Sequence, residues 1–244
     1  MKKGIWGNHS DAIKCQDFNI LENTISNILA NNSSPYAMSN LISSLSHPNH
    51  RKMLFGMFLK NESLQENMLQ SSYQHDNGFE KWVLIDNPSY KLRLHIYEDS
   101  QAMPQENRHN HAWDFASSII EGCLQNSIYA IDDVNGNERL NHYQYSPASA
   151  DAYGTKFIGS RLLRKMTDVQ MTAGTAYFMP AEVIHKISYE QTFKQRTITL
   201  MITGNRKSYH CDLFSEHEFA SEKNSMTRFS KSKMIERLNE LKKL

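Results

Sequence analysis

Between Phe79 and Thr203 the chain is a succession of short runs in which apolar and polar residues alternate, with no stretch of helical periodicity among them. Alternation with period two marks strands that bury one face, and such runs with no helices between them must pair mainly with one another. Strands are expected over about 79–86, 90–97, 108–120, 123–131, 138–145, 155–164, 168–172, 175–179, 184–189 and 196–203. Asp132-Asp133-Val134-Asn135-Gly136-Asn137 and Ser146-Pro147 supply turn chemistry between them. That many short strands suits a closed double sheet of the jelly-roll kind and argues against a doubly wound α/β fold.

The flanks read differently. Phe18, Leu21, Ile25, Ile28 and Leu29 fall at helical spacing, and the polar run Asn31-Asn32-Ser33-Ser34 ends that helix. Ser34 is placed to cap a second helix with Pro35 at its first position, and Ala37, Met38, Leu41, Ile42 and Leu45 form its apolar face before Pro48 stops it. Residues about 50–72 continue the helical pattern through Met53, Leu54, Met57 and Phe58 and then Leu64, Met68 and Leu69. From about Asn205 the apolar content falls, and 208–233 reads as a loop wrapping the sheet. Met234, Ile235, Leu238 and Leu241 then make an amphipathic helix within Ser232–Leu244, with Lys242 and Lys243 at its C-terminal end. The expected organisation is a helical extension over 1–75 packed on the barrel, a β-barrel over 76–204, and a C-terminal loop and helix over 205–244. The last helix docks on the barrel or forms a contact in a homodimer.

At 244 residues the chain can bury one substantial core. No apolar run approaches the roughly 20 residues of a membrane span, and mean hydropathy is −0.61. The start, Met1 to His9, is basic but lacks the apolar stretch of a signal peptide, and Cys15, Cys123 and Cys211 form no paired framework. A cytoplasmic protein in a reducing compartment is expected. Net charge is +1 and the cations are interspersed with acids, which disfavours nucleic acid as a partner.

Chemistry concentrates at Arg108-His109-Asn110-His111-Ala112-Trp113-Asp114-Phe115. On a continuous strand His109, His111, Trp113 and Phe115 share one face, so two imidazoles could grip one ion beside aromatic walls, with Asp114 turned away. His-x-His alone says little in a chain with 11 histidines. A second stretch, Gly174 to His185, carries Pro180 in a turn and delivers a third histidine. Three neutral imidazoles on rigid backbone, each held by its second ring nitrogen, are what a metal site requires.

These two stretches together resemble the cupin superfamily, whose motifs place His-x-His on one strand and, after Gly-x5-Pro, a further histidine on a later one. Gly174, Pro180 and His185 match that spacing, with Ala181-Glu182 in place of the usual small residue and glycine. The resemblance implies a cupin-type double-stranded jelly-roll barrel, mainly β, with an α-helical N-terminal extension and a short C-terminal helix. Cupins commonly place a glutamate four or five residues after the second histidine; those positions here are Phe115 and Ala116, and Glu121 lies beyond, before a turn at Gly122. A site of three histidines without a carboxylate is similar to that of the cysteine (thiol) dioxygenase group. Tyr90 to Tyr97 and the pair Ala176-Tyr177 agree with that group's layout, which extends over roughly 17–204. Where that group carries Ser, His and Tyr after the third ligand, this chain has Thr199, Met201 and Thr203. Its crosslinking cysteine corresponds to Ala116, and its substrate-binding arginine falls near Lys81-Trp82.

The resemblance therefore implies metal ligands His109, His111 and His185, acting in catalysis through the metal, and no particular substrate. Three neutral imidazoles leave a divalent ion its full charge, so its open positions favour anionic donors. Fe(II) leads, with Zn(II), Mn(II) and Ni(II) as alternatives. The expected function is a non-heme iron dioxygenase or other oxygenase that oxidises a small anionic metabolite with O2; sulfur-containing acids and amino acids belong to the class. Arg93, His95, Tyr97, Trp113, Phe115, Tyr177 and Met201 are the pocket candidates, although Arg93 could equally pair with a surface acid. Arg161, Arg164 and Lys165 read as a solvated face. A redox-inactive metal lyase or isomerase and a non-catalytic metabolite-binding cupin are the alternatives.

Overall fold

The structure is a computed structural model describing residues 17–31, 34–98, 106–149, 152–188, 196–218 and 226–244. The basic start and Cys15 lie outside the described residues. Four helices come first: α1 (Phe18–Asn31), α2 (Pro35–Ser46), α3 (Pro48–Lys60) and α4 (Glu62–Ser71). Ser34 Oγ accepts from the Ala37 amide, as its position before Pro35 predicts. Pro48 ends one helix and opens the next, because a first-turn residue has no intrahelical N–H bond to lose, and His47 before it is extended. Asn61 makes the joint between α3 and α4 by accepting from the Leu64 amide. Hydrophobic periodicity carries no mark of that joint.

The strands are β1 (Tyr73–Gln74), β2 (Glu80–Asn87), β3 (Tyr90–Tyr97), β4 (Arg108–His109), β5 (Trp113–Glu121), β6 (Cys123–Ile131) and β7 (Glu138–Ser149). They continue as β8 (Ala152–Thr172), β9 (Ala176–Met179), β10 (Ile184–Ser188), β11 (Thr197–Arg206), β12 (Cys211–Ser215) and β13 (Thr227–Arg228), and helix α5 (Lys231–Leu241) follows. One sheet runs β13-β1-β2-β3-β11-β5-β9; the other, β10-β4-β12-β7-β8-β6, closes on itself. The chain passes from the open sheet to the closed one at β3 to β4, β5 to β6, β9 to β10 and β11 to β12 and returns at β4 to β5, β8 to β9, β10 to β11 and β12 to β13, which is the connectivity of a jelly roll. At the β5–β6 crossing Gly122 is obligatory: its φ is +76°, and a Cβ would lie 2.4 Å from the Arg196 carbonyl oxygen.

The open sheet is buried on both faces. Trp82, Leu84, Leu92, Leu94, Ile96, Leu200 and Ile202 pack outward against Leu21, Ile25, Met38, Ile42, Phe55 and Phe58 of the helical layer. Burying these side chains at roughly 25 cal/mol per Å² is the main force holding the layers together. Met234, Leu238 and Leu241 place α5 in the same core, and Arg237 and Lys233 from that helix reach the buried Glu80 carboxylate.

Three expectations change. The run 108–120 is not one strand: β4 belongs to the closed sheet and β5 to the open one, with Asn110 to Ala112 crossing between them. The runs 155–164 and 168–172 form the single long strand β8, since Lys165-Met166-Thr167 contains no turn-forming residue and the sheet absorbs the irregularity as a bulge opposite Ile128 and Tyr129. The stretch read as a wrapping loop supplies β12, inserted between β4 and β7, with Phe214 and Ser215 buried. The barrel therefore continues past residue 204. Among the described residues no helix is long and apolar enough to cross a membrane.

Candidate metal centre

His109 closes β4 and stands directly opposite His185 of β10, while His111 lies in the crossing and its amide donates to the Ala181 carbonyl at 2.9 Å. The three side chains converge, with one ligand atom from each lying within 4.8 Å of the others. What brings them together is thus the passage between sheets and a cross-strand pair, not alternation along one strand. The Gly174-x5-Pro180 stretch does what its spacing predicts: Gly174 turns at φ +90°, β9 follows, and a second turn closed by Val183 N–H to the Pro180 carbonyl delivers His185.

The ring nitrogens are specifically engaged. His185 is 3% exposed, and its Nδ1 lies 3.0 Å from Asn126 Oδ1, which can only accept. His109 Nδ1 meets the Asn107 carbonyl at 2.9 Å. Both rings therefore carry their proton on Nδ1 and present Nε2 to the centre. There His111 Nε2 and His185 Nε2 are 2.9 Å apart, and His111 must donate because the neutral His185 has no other proton to give. Two imidazole ligands at right angles around one ion, each at about 2.1 Å, would place their nitrogens about 3 Å apart. Burial pushes His111 and His185 well below the ordinary imidazole pKa, so both rings stay neutral, and an ion between them would take the place of the proton they share. The donor set fits a metal ion.

Surrounding residues fix this arrangement. Asp114 bonds none of the three histidines; it accepts from the Ala181 amide at 2.9 Å and pairs with Lys207, tying the turn before His185 to the strand after His111. Asn110, between the two histidines, exchanges two side-chain bonds with Asp212 of β12, whose other oxygen meets His142 Nε2 at 2.7 Å. Glu121 is bonded to Arg196, outside the site.

The centre opens on a cavity of about 410 Å³ between the sheets, within the range of metabolite sites. All seven pocket candidates line it: Arg93, His95, Tyr97, Trp113, Phe115, Tyr177 and Met201. Register explains why. Tyr73, Lys81, His95 and Thr199 stand opposite one another across β1, β2, β3 and β11, and Arg93, Met201, Ser117 and Tyr177 form the next row across β3, β11, β5 and β9. Both rows face inward. Thr203, by contrast, accepts from the Lys91 amide, Ala116 faces the helical layer, and Trp82 donates to Glu80, so these positions do not contribute to the cavity.

Sequence reasoning did not single out Tyr73, His75 or Phe79. Phe79 stacks on His75 with ring centroids 4.4 Å apart and lies 4.8 Å from the His95 ring. Burial drives His75 down to about 3, lowers His95 well below its usual value, and raises Tyr177 to about 12 and Tyr97 further. The only advance signal was the His75-to-Phe79 loop's position just before the first strand. Arg161, Arg164 and Lys165 pair with Asp133, Asp132 and Asp168 on the surface, as a solvated face should.

The two sheets and the three converging histidines agree with the layout that the cupin resemblance implies. No protein-family profile matches the chain, and no curated protein matches it. Solved structures similar to it include a cupin superfamily protein from Desulfitobacterium hafniense, at 14% identity and TM-score 0.31, over 54% of this chain and 81% of that one. Hydroquinone 1,2-dioxygenase from a Sphingomonas species shares 15% identity at TM-score 0.32, over 51% of this chain and 64% of that one. A variant of Bacillus subtilis oxalate decarboxylase shares 12% at TM-score 0.33, over 57% and 29%. The jelly-roll barrel itself rests on strand order, and those identities say nothing of a reaction.

Proposed function

We propose that this chain is a non-heme Fe(II)-dependent oxygenase that oxidises a small anionic metabolite with O2. The observation that supports it is the donor set: three imidazoles converging, with no carboxylate among the described residues in their group, open to a cavity of metabolite size. Iron(II) held there would supply redox chemistry with dioxygen, at an ion whose full positive charge attracts an anionic donor. His109, His111 and His185 hold the ion; the Asn107 carbonyl and Asn126 Oδ1 fix the tautomers of two of them. Trp113, Phe115, Met201 and Tyr177 wall the cavity and exclude water from the ligand's body. His95 remains neutral, and the high pKa of Tyr97 and Tyr177 keeps both phenols protonated, able to donate to an oxygen-rich ligand.

The test is anaerobic reconstitution with iron(II), followed by oxygen-uptake assays over a panel of small acids that includes thiol acids and amino acids. Uptake that requires both iron and one acid, and that disappears in His185→Ala, is the expected result. Turnover in metal-free protein would refute the reading. Turnover that is equal without oxygen would replace it with Lewis-acid lyase or isomerase chemistry on the same ligands.

A further inference from the structure

Two basic side chains face this cavity with no acid paired to either among the described residues. Arg93 is 6% exposed, and among the described residues no carboxylate pairs with it. Its Nε has no hydrogen-bond partner, and the guanidinium lies 4.8 Å from the centroid of the Trp113 ring. Lys81, one strand away on the same inner face, donates to the Tyr73 hydroxyl at 2.8 Å and likewise has no acid partner among the described residues. The acids lining the cavity are engaged elsewhere or lie at its rim. Glu106 accepts from the Ile187 amide and from Asn77, Asp212 is held by Asn110 and His142, and Asp76 is exposed. Burial above all lowers the pKa of both side chains, and the Arg93 guanidinium adds to the lowering at Lys81. Such groups are left unpaired in a built cavity when an incoming anion completes them.

The rest of the wall sets the body of that anion. Phe79, Tyr97, Leu124, Ile187 and Tyr177 form one apolar cluster on the cavity, with no charged member. We propose that Arg93, seconded by Lys81, anchors the carboxylate of a small carboxylic acid whose apolar body rests on this cluster. The acid group then lies on the open sheet, with Trp113 between Arg93 and His111: the Trp113 ring is 6.2 Å from the His111 ring. A planar guanidinium matches a carboxylate edge in two parallel bonds, and the flat Trp113 ring orients it for that contact. The substrate of the proposed reaction is accordingly held at a carboxylate remote from the atoms that meet the metal. This inference rests on the cavity being the substrate site of that centre.

The probes are 3-phenylpropionate, 4-methylpentanoate and the uncharged 3-phenylpropionamide, titrated calorimetrically into zinc-loaded and metal-free protein at pH 7.5. Both acids should bind at least tenfold more tightly than the amide, in both forms of the protein. Arg93→Met should remove that advantage while leaving zinc content and amide affinity unchanged, and Arg93→Lys should restore part of it. Where Arg93→Met fails to fold, Lys81→Gln gives the same comparison with a smaller, severalfold loss. The proposal is overturned if acid and amide bind equally, if no acid binds, if acid affinity survives Arg93→Met, or if inorganic phosphate displaces the acids at equal concentration. Arg93-dependent acid binding in a chain that takes up no iron would preserve the anchor and remove the oxygenase. Iron-dependent oxygen uptake with Arg93-independent acid binding would do the reverse.

Discussion

Asn126 offers a quantitative test of the centre through a residue that touches no ligand atom. It sits on β6 opposite the β10 strand that carries His185, is itself buried, and accepts from His185 Nδ1 at 3.0 Å. Asn126→Leu keeps the approximate volume and removes the acceptor. The His185 N–H is then buried without a partner, at a cost of about 1–3 kcal/mol to the folded protein. The ring also loses the bond that selects the Nδ1–H tautomer and aims Nε2 at the centre. Loss of such a partner typically weakens metal binding 10–100-fold, or about 1.4–2.7 kcal/mol. Competition against a chromophoric chelator should show this loss for zinc(II), whereas Asn126→Asp, which retains an acceptor and adds charge, should bind at least as tightly as the unmodified chain. Zinc affinity within twofold of the unmodified protein in Asn126→Leu would refute the tautomer argument and point to His185 coordinating through Nδ1, or to no site at all.

Glu80 should prove the fastening point of α5: it accepts from Trp82 Nε1 and pairs with Arg237 and Lys233. Glu80→Ala removes the shared carboxylate and strands the Trp82 N–H, while Arg237 keeps Glu98 and Glu240, and should lower unfolding stability by about 1–3 kcal/mol, read from denaturant midpoints; a change under about 0.5 kcal/mol would show that apolar packing alone docks the helix. The metal-free protein should also be acid-sensitive. His75, held at about 3 beside Phe79 and facing Lys81, Arg93 and His109, is protonated in the unfolded chain below its model-peptide value of 6.5 but not in the fold. Its contribution is complete above pH 6.5 and is lost progressively as the pH falls toward 3, at a slope of at most about 1.4 kcal/mol per pH unit. His75→Phe should flatten the pH dependence of the thermal midpoint between pH 7 and 5, and an unchanged slope would remove His75 from the account.

The residues that make the fold legible in sequence are those whose pattern is local. Leu92-Arg93-Leu94-His95-Ile96-Tyr97 alternates strictly, and its two faces are found where period two sends them, toward the helices and toward the cavity. Gly174, Pro180 and His185 likewise announced a turn, a strand and a third imidazole. The failures have a common cause in long-range pairing. His109 and His111 look like neighbours on one strand, yet the intervening Asn110 is drawn across by Asp212, 102 residues further on in a segment with little apolar content. Nothing near Asn110 reveals that partner. The β12 strand went unread for the same reason: it gains its place from β4 and β7, and only Phe214 and Ser215 within it are buried. Pocket residues such as Tyr73 and His75 come from a two-residue strand and its loop, too short for any periodic signal.

The strand from Tyr90 to Tyr97 has core on both sides, and this gives the helical layer a stake in the chemistry. A slip of one residue would send Arg93 and His95 into the hydrocarbon of α1 to α4 and bring Leu92, Leu94 and Ile96 to face the imidazoles. A sheet open to water on its outer face would tolerate such a slip more readily. Here the leucines are keyed into the helices from outside, so the helical segment acts as a template that decides which side chains the cavity receives. Its loss would erase the pocket's chemical character, beyond any loss of stability.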